Sequence, residues 1–214
     1  RQEDREHLLL HELKHRVKNL LMVVQVIATQ TFRKAASYEE GLTAFSGRLR
    51  PLARAQDLML ASNWTDVRLH DVLETAIGGS GNTLERFEIA GPELKVLASR
   101  SVPIALAVHE LCTNSVKYGA LSAPSGTVKI TWSVDDEWRH VEFEWPERDG
   151  PPVPPPTRRG FGSTLLTANL ARELAGDVST EYPPEGLIFR VRAPLSDLNR
   201  KPATGGLAAP SESL

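Results

Sequence analysis

A chain of 214 residues with 41% hydrophobic and 24% charged side chains has the balance of an ordinary globular protein, with room for one large domain or two small ones. A formal net charge of -2 gives no bulk attraction to nucleic acid or to an anionic membrane surface, and no apolar run reaches membrane-spanning length. The single cysteine, Cys112, excludes an internal disulfide and a cysteine-rich zinc site, which points to a reducing, cytoplasmic setting.

Between Glu3 and Arg33 there is neither glycine nor proline, and Leu9, Leu13, Val17, Leu20, Leu21, Val24, Ile27 and Ala28 recur at three- and four-residue steps. That periodicity predicts a long amphipathic helix. Its charged start, Arg1 to Glu6, reads as a helix already under way, so an upstream segment is expected. Ser37-Tyr38-Glu39-Glu40 offers a capping box for a second helix reaching about Leu60, with Leu42, Phe45, Leu49, Leu52 and Leu58 on its apolar side. Pro51 is expected to kink or divide it. Two such antiparallel helices make half of a four-helix bundle, usually completed by a second copy. His11 and His15 lie one turn apart on the first helix, but no third metal ligand is in view.

The hairpin ends near Asn63 to Asp66, and Leu69 to Ile77 reads as a short helix opening a second domain. Gly78-Gly79-Ser80-Gly81-Asn82 lacks the Walker spacing and a following basic residue, so it is assigned to a loop. Phe87 to Ile89 and Leu94 to Leu97 are short strand candidates on either side of Gly91-Pro92. Ser99 or Ser101, with Pro103, opens a helix that ends at Gly119. On it Ile104, Leu106, Ala107, Leu111 and Val116 can face a core, while Glu110, Asn114 and Lys117 recur at i, i+4 and i+7 and share one face. A carboxylate, an amide oxygen and an ammonium on one stripe suit a hydrated magnesium ion bridging to phosphates; they also describe an ordinary solvated helix face.

Two alternating runs follow, Thr127 to Val134 and Trp138 to Trp145, turned at Asp135-Asp136-Glu137; Trp145-Pro146-Glu147-Arg148-Asp149-Gly150 then leaves the sheet. Prolines hold 151–159 extended, and Arg158 and Arg159 within it are candidates to reach phosphates. Gly160-Phe161-Gly162 runs into a helix from Leu165 to Ala175, placing glycine N–H groups at a helix N-terminus, a phosphate cradle. Asp177 to Glu181 and Leu187 to Val191 are closing strands around Pro183 to Gly186, and residues 195–214 are expected to be disordered.

The string from His109 to Ala120 resembles the N box of the histidine-kinase ATPase fold, in particular that of the HWE class of sensor histidine kinases. The class is named for a His in this box and a Trp-x-Glu further on, here His109 and Trp145-Pro146-Glu147. Gly160-Phe161-Gly162, with Leu165-Leu166 behind it, resembles the second glycine box, and Glu12-Leu13-Lys14-His15-Arg16-Val17-Lys18-Asn19 resembles the phosphoacceptor box. The four motifs stand in the family's order and cover about residues 8 to 194.

The resemblance implies an α+β chain: an antiparallel helical hairpin over 1–63 for dimerisation and phosphotransfer, then an α/β two-layer sandwich of the histidine-kinase ATPase (Bergerat) type over 64–194, then the tail. It implies ATP and Mg2+ as cofactors, phosphorylation of His15, and transfer to an aspartate of a response-regulator receiver, in a homodimer or, as in some relatives, a monomer; the upstream segment would be a sensor. Asn114 would hold the magnesium, Glu110 would order its water or act as base, and Lys117 would neutralise phosphate. Glu147 would read the adenine amino group, with His109, Trp145, Gly150, Gly160, Phe161 and Gly162 completing the nucleotide site. The chain departs from the family at Asp149, where glycine is frequent, which keeps open a rival reading as a phosphotransfer protein that relays phosphoryl groups without binding ATP. A serine kinase on the same fold would leave His15 without a job.

Overall fold

In the computed structural model, which describes residues 17–18, 21, 23–29, 31–33, 35–61, 66–80, 84–135, 137, 139–153 and 170–198, the described residues between 17 and 33 are helical, as their periodicity requires; this helix is α1. Ser37 then performs its capping role. Its Oγ accepts the Glu40 backbone N–H at 3.1 Å, while Glu40 Oε2 reaches back to the Ala36 N–H at 2.8 Å. The pair opens helix α2, Tyr38–Ala61. Pro51 does not divide α2; its ring is fully buried, next to the buried Leu52, so packing holds the helix through the missing hydrogen bond. Ile27, Leu52 and Ala55 belong to the same core as the residues that follow. Part of the stripe expected to meet a second copy is therefore covered within the chain, whereas Val17, Leu21, Phe32, Tyr38 and Leu42 stay exposed.

Strand β1, Asp66–Arg68, has no counterpart in the sequence reading: it buries one side chain, Val67, and offers no alternation to detect. Helix α3, Leu69–Gly79, follows directly and absorbs Gly78 and Gly79, which had been assigned to a loop. The two strand candidates around Gly91 separate into different sheets. Strand β2, Phe87–Ala90, enters the main sheet, and β3, Lys95–Leu97, pairs antiparallel with β1. Helix α4, Ala98–Tyr118, begins a turn earlier than expected, because Ser101 Oγ donates to the Ala98 carbonyl at 2.7 Å instead of capping the helix.

The main sheet is built from β2, β4 (Thr127–Val134), β5 (His140–Arg148), β6 (Asp177–Glu181) and β7 (Ile188–Pro194), in the order β2-β4-β5-β7-β6. β2 runs parallel to β4 and the other pairs are antiparallel. β5 does not leave the sheet at Trp145 but carries Pro146 within it, opposite Ile188 of β7. On the β4 side the register runs Thr127↔Arg148 and Val128↔Glu147 and resumes at Thr131↔Glu144, stepping past the residue that has no N–H to give.

Ile130, Trp132, Val141, Trp145, Phe189 and Val191 face the helices, where Val72 and Leu73 of α3 and Ile104, Val108 and Leu111 of α4 complete the core. The opposite face carries solvated cross-strand pairs, Arg190 with Glu144, Arg192 with Glu142 and Lys129 with Glu88. One face dry and one face charged is the signature of a two-layer α/β sandwich. Helix α5, Leu170–Leu174, lies on the dry side, and α6, Leu195–Leu198, turns the first residues of the expected tail back onto the core: Leu198 is buried, and the Leu195 N–H donates to the Arg139 carbonyl at 2.7 Å. His11, His15, Arg158, Arg159, Gly160, Phe161, Gly162 and residues 199–214 lie outside the described residues.

Candidate functional site

Helix α4 carries the polar stripe, but α2 covers its first part. Glu110 is only 3% exposed, and both of its oxygens are engaged: Arg48 Nε donates to Oε1 at 2.7 Å and Arg48 Nη2 to Oε2 at 3.3 Å. The same guanidinium donates from Nη1 to Thr31 Oγ1 of α1 at 3.3 Å. One turn on, Asn114 is half-buried, and Lys117 is exposed. The three residues thus share a helix face, as their spacing requires, with the solvent reaching it from Asn114 onward.

His109, beside Glu110, points to the end of α3. Its Nδ1 is 2.9 Å from Ser80 Oγ, and Ser80 Oγ is 2.9 Å from the Ala76 carbonyl. The hydroxyl has one proton and the carbonyl has none, so Ser80 donates to Ala76 and His109 Nδ1–H donates to Ser80. Nε2 keeps a bare lone pair and faces Gly47 of α2, where an added Cβ would lie 3.9 Å away. Burial, and secondly the Arg48 charge, pull the imidazole down to about 4, so it is neutral near pH 7.

Trp145 is fully buried and meets Phe87 edge-on, with ring centroids 5.9 Å apart. Its indole N–H donates to Glu147 Oε1 at 3.3 Å, and Glu147 Oε2 accepts the Ala120 backbone N–H at 2.7 Å, just past the end of α4. Burial pushes the Glu147 carboxyl up from its ordinary value, against the pull of donors from Ala120, Ser115 and Trp145. This convergence demands glycine at two positions. A Cβ on Gly119 would overlap the Glu147 carboxylate, and one on Gly150 would overlap the Ala120 backbone. Asp149, directly before Gly150, has φ 58°, a left-handed conformation that accounts for glycine being frequent there.

Arg86 is a residue that sequence reasoning missed. It sits in the 3-10 turn Leu84–Arg86, and its guanidinium donates from Nε to the Gly126 carbonyl at 2.9 Å, from Nη1 to Leu121 at 3.1 Å, and to Ala123. It clamps the loop after α4, the loop whose first residue, Ala120, Glu147 also holds. No local pattern marks it, since its acceptors are backbone atoms 35 to 40 residues away. A cavity of about 50 Å³ between α4, α5 and the sheet, reached by Leu111, Phe143, Leu174 and Phe189, has no charged lining residue. It is a gap in the core and not a place for a triphosphate.

The structure therefore brings Glu147, Trp145 and Gly150 to the C-terminal end of α4, leaves Asn114 and Lys117 on the accessible stripe, and sets His109 and Glu110 against the hairpin. Among the described residues no helix is long and apolar enough to cross a membrane. Comparison with known proteins adds the family. The family model described as HWE histidine kinase matches residues 12–93. A blue-light-activated histidine kinase of Brucella anthropi is 40% identical over 192 residues, covering 88% of this chain and 39% of that protein; its Brucella ovis counterpart is 39% identical over 197 residues, covering 91% and 40%. The chain spans about two fifths of the length of these relatives. A blue-light activated histidine kinase of Erythrobacter litoralis, known as a structure, superposes with a TM-score of 0.66 at 18% identity, over 86% of this chain and 60% of that one, which shows the shared fold. With its N box and Trp-x-Glu elements meeting at the end of α4, and with these relatives, the chain belongs to the HWE histidine kinases.

Proposed function

We propose that this chain is the kinase core of a signalling protein: it transfers the γ-phosphoryl group of Mg-ATP to His15 and then to an aspartate of a response-regulator receiver. The observation that carries the reading is the arrangement of α4, with Asn114 and Lys117 on its accessible stripe and the Trp-x-Glu element closing its C-terminal end through Glu147 and Ala120. In this reading the Asn114 amide oxygen holds a magnesium ion that keeps several waters, and Lys117 balances phosphate charge. Glu110, freed from Arg48, orders a metal-bound water or accepts the imidazole proton, and Glu147 sets the adenine end of the pocket. A neutral imidazole, with an ordinary value near 6.5, has the lone pair needed to attack phosphorus. Leu21, Tyr38 and Leu42 supply an exposed apolar surface for a second copy.

Incubation with γ-labelled Mg-ATP tests this. Acid-labile label that is lost in His15→Ala and retained in His11→Ala supports it; acid-stable label, or label independent of His15, refutes it. One observation favours the second reading, a relay without ATP binding: the Glu147 oxygens already face protein donors, beside the left-handed Asp149. Calorimetric titration showing no ATP binding, with His15 still accepting a phosphoryl group from a phosphorylated receiver, would put the relay first.

A further inference from the structure

Residues 47 and 48 of α2 meet residues 109 and 110 of α4 as two neighbouring pairs. Gly47 lies over His109 Nε2, and Arg48 grips Glu110 with two donors. A Cβ at Gly47 would reach ordinary contact with His109 Nε2 and leave no room for a larger side chain, and the planar guanidinium matches the carboxylate as a lysine ammonium does not. Thr31 of α1 accepts from the same guanidinium, so one polar chain, Thr31 to Arg48 to Glu110, links both hairpin helices to the helix of the N box. In this arrangement Glu110 is nearly inaccessible, both of its oxygens taken by Arg48, while Asn114 one turn on is half-buried and Lys117 exposed.

We propose that Arg48 is a positioning residue for phosphoryl transfer that acts through Glu110: docking of α2 withholds the carboxylate, and its release from Arg48 makes the carboxylate available to the metal-bound water. This rests on the kinase reading above. The contact couples the segment that carries the phosphoacceptor to the nucleotide helix, because a movement of α1 or α2 that breaks the Arg48 grip also exposes Glu110. A purely structural strut of the same geometry differs in one respect. Its loss leaves turnover the same or lower, whereas loss of a withholding contact raises turnover at nearly constant nucleotide affinity.

The test uses the whole chain and two independent variants. Arg48→Gln removes the paired donors, and Gly47→Leu keeps Arg48 and Glu110 but wedges α2 away from His109, beyond the space that a Cβ at 3.9 Å just fills. Initial rates of acid-labile labelling over a range of Mg-ATP concentrations give kcat and KM, and circular dichroism reports folding. Expected is a rise in kcat of about tenfold in both variants with KM nearly unchanged, as for a charge-assisted pair that biases the docked state by about that factor. Arg48→Lys should fall between them and the wild type. Folded variants whose kcat is unchanged or lower overturn the proposal; if Arg48→Gln does not fold, Gly47→Leu alone decides. Label in the wild type without a rise in the variants defeats this inference only, whereas no label in any protein defeats the kinase reading and this inference together.

Discussion

Glu147 Oε2 accepts the Ala120 backbone N–H at 2.7 Å, so the end of β5 and the turn after α4 are held by one buried carboxylate. Both of its oxygens face donors, and an amide in its place would turn an NH2 group toward either Ala120 N–H or the Trp145 indole. Glu147→Gln is therefore expected to lose about 1–3 kcal/mol in urea unfolding, the cost of a buried donor with no acceptor. The same variant separates an anchor from a base reader. If Glu147 touches the adenine amino group, the preference for ATP over GTP narrows in calorimetric titration; an anchor alone weakens both nucleotides in proportion.

Asp149 holds φ 58°, where an L side chain crowds its own carbonyl. Replacing it with glycine removes that crowding and the partly lost gain is unfolded-state entropy, so Asp149→Gly should stabilise by roughly 0.5–1 kcal/mol, while Asp149→Val should destabilise by more than that. Unfolding midpoints of the three proteins check the order. An Asp149→Gly variant less stable than the wild type would mean that the aspartate makes a compensating interaction in the turn.

Acid sensitivity should trace to His109. Its folded value, about 4, lies below the unfolded 6.5, so between those pH values the unfolded chain binds the extra proton. Its contribution is fully present above about pH 6.5 and is lost as the pH falls toward 4. The loss amounts to about 2 kcal/mol between pH 7 and pH 5. Glu147, whose folded value is raised by burial, contributes the opposite slope, because its stabilisation is present below the unfolded value and lost as the pH rises through the folded one. Urea titrations of wild type and His109→Gln at pH 7 and pH 5 isolate the histidine: the variant should show a loss smaller by about 2 kcal/mol. Equal losses in both would place the acid sensitivity elsewhere.

What could be read from the sequence was local. Ser37 and Glu40 are three residues apart and cap as their spacing says, and α4, β4, β6 and β7 follow from periodicity over five residues or more. Pro146 misled because a proline within a strand is unusual, and here its neighbours on β7 supply the pairing that the residue itself lacks. The N box and the Trp-x-Glu element were legible as motifs, yet motif spacing says nothing of what covers them. That Glu110 lies under Arg48, 62 residues away, and that Ser80 fixes the His109 tautomer, are properties of packing between elements. Strand β1 was missed for the opposite reason: three residues are too few to carry a pattern.

Arg86 gives the sharpest case of such long-range chemistry, and its removal has a local consequence. The carbonyls of Leu121, Ala123 and Gly126 converge on one guanidinium, and Leu121 and Gly126 are buried, so water cannot replace the donors without opening the loop. Lysine keeps the charge but has one nitrogen, and it cannot span acceptors that the planar fork reaches from separate nitrogens. Arg86→Lys should cost about 2–3 kcal/mol, since hydrogen bonds to a charged donor each contribute about 1.5–3 kcal/mol and part of them is retained. The effect should be confined at first to residues 119–126. Amide hydrogen exchange there should quicken, while exchange in β5 and β7 stays as in the wild type, because those strands pair with each other independently of the clamp. Glu147 through Ala120 and Ser115 through the Leu121 N–H would then carry more of the loop, so Arg86→Lys and Glu147→Gln should be more than additive together, a coupling that a double-mutant cycle reads directly. Uniformly faster exchange across the sheet would show that Arg86 supports the whole fold and not this loop.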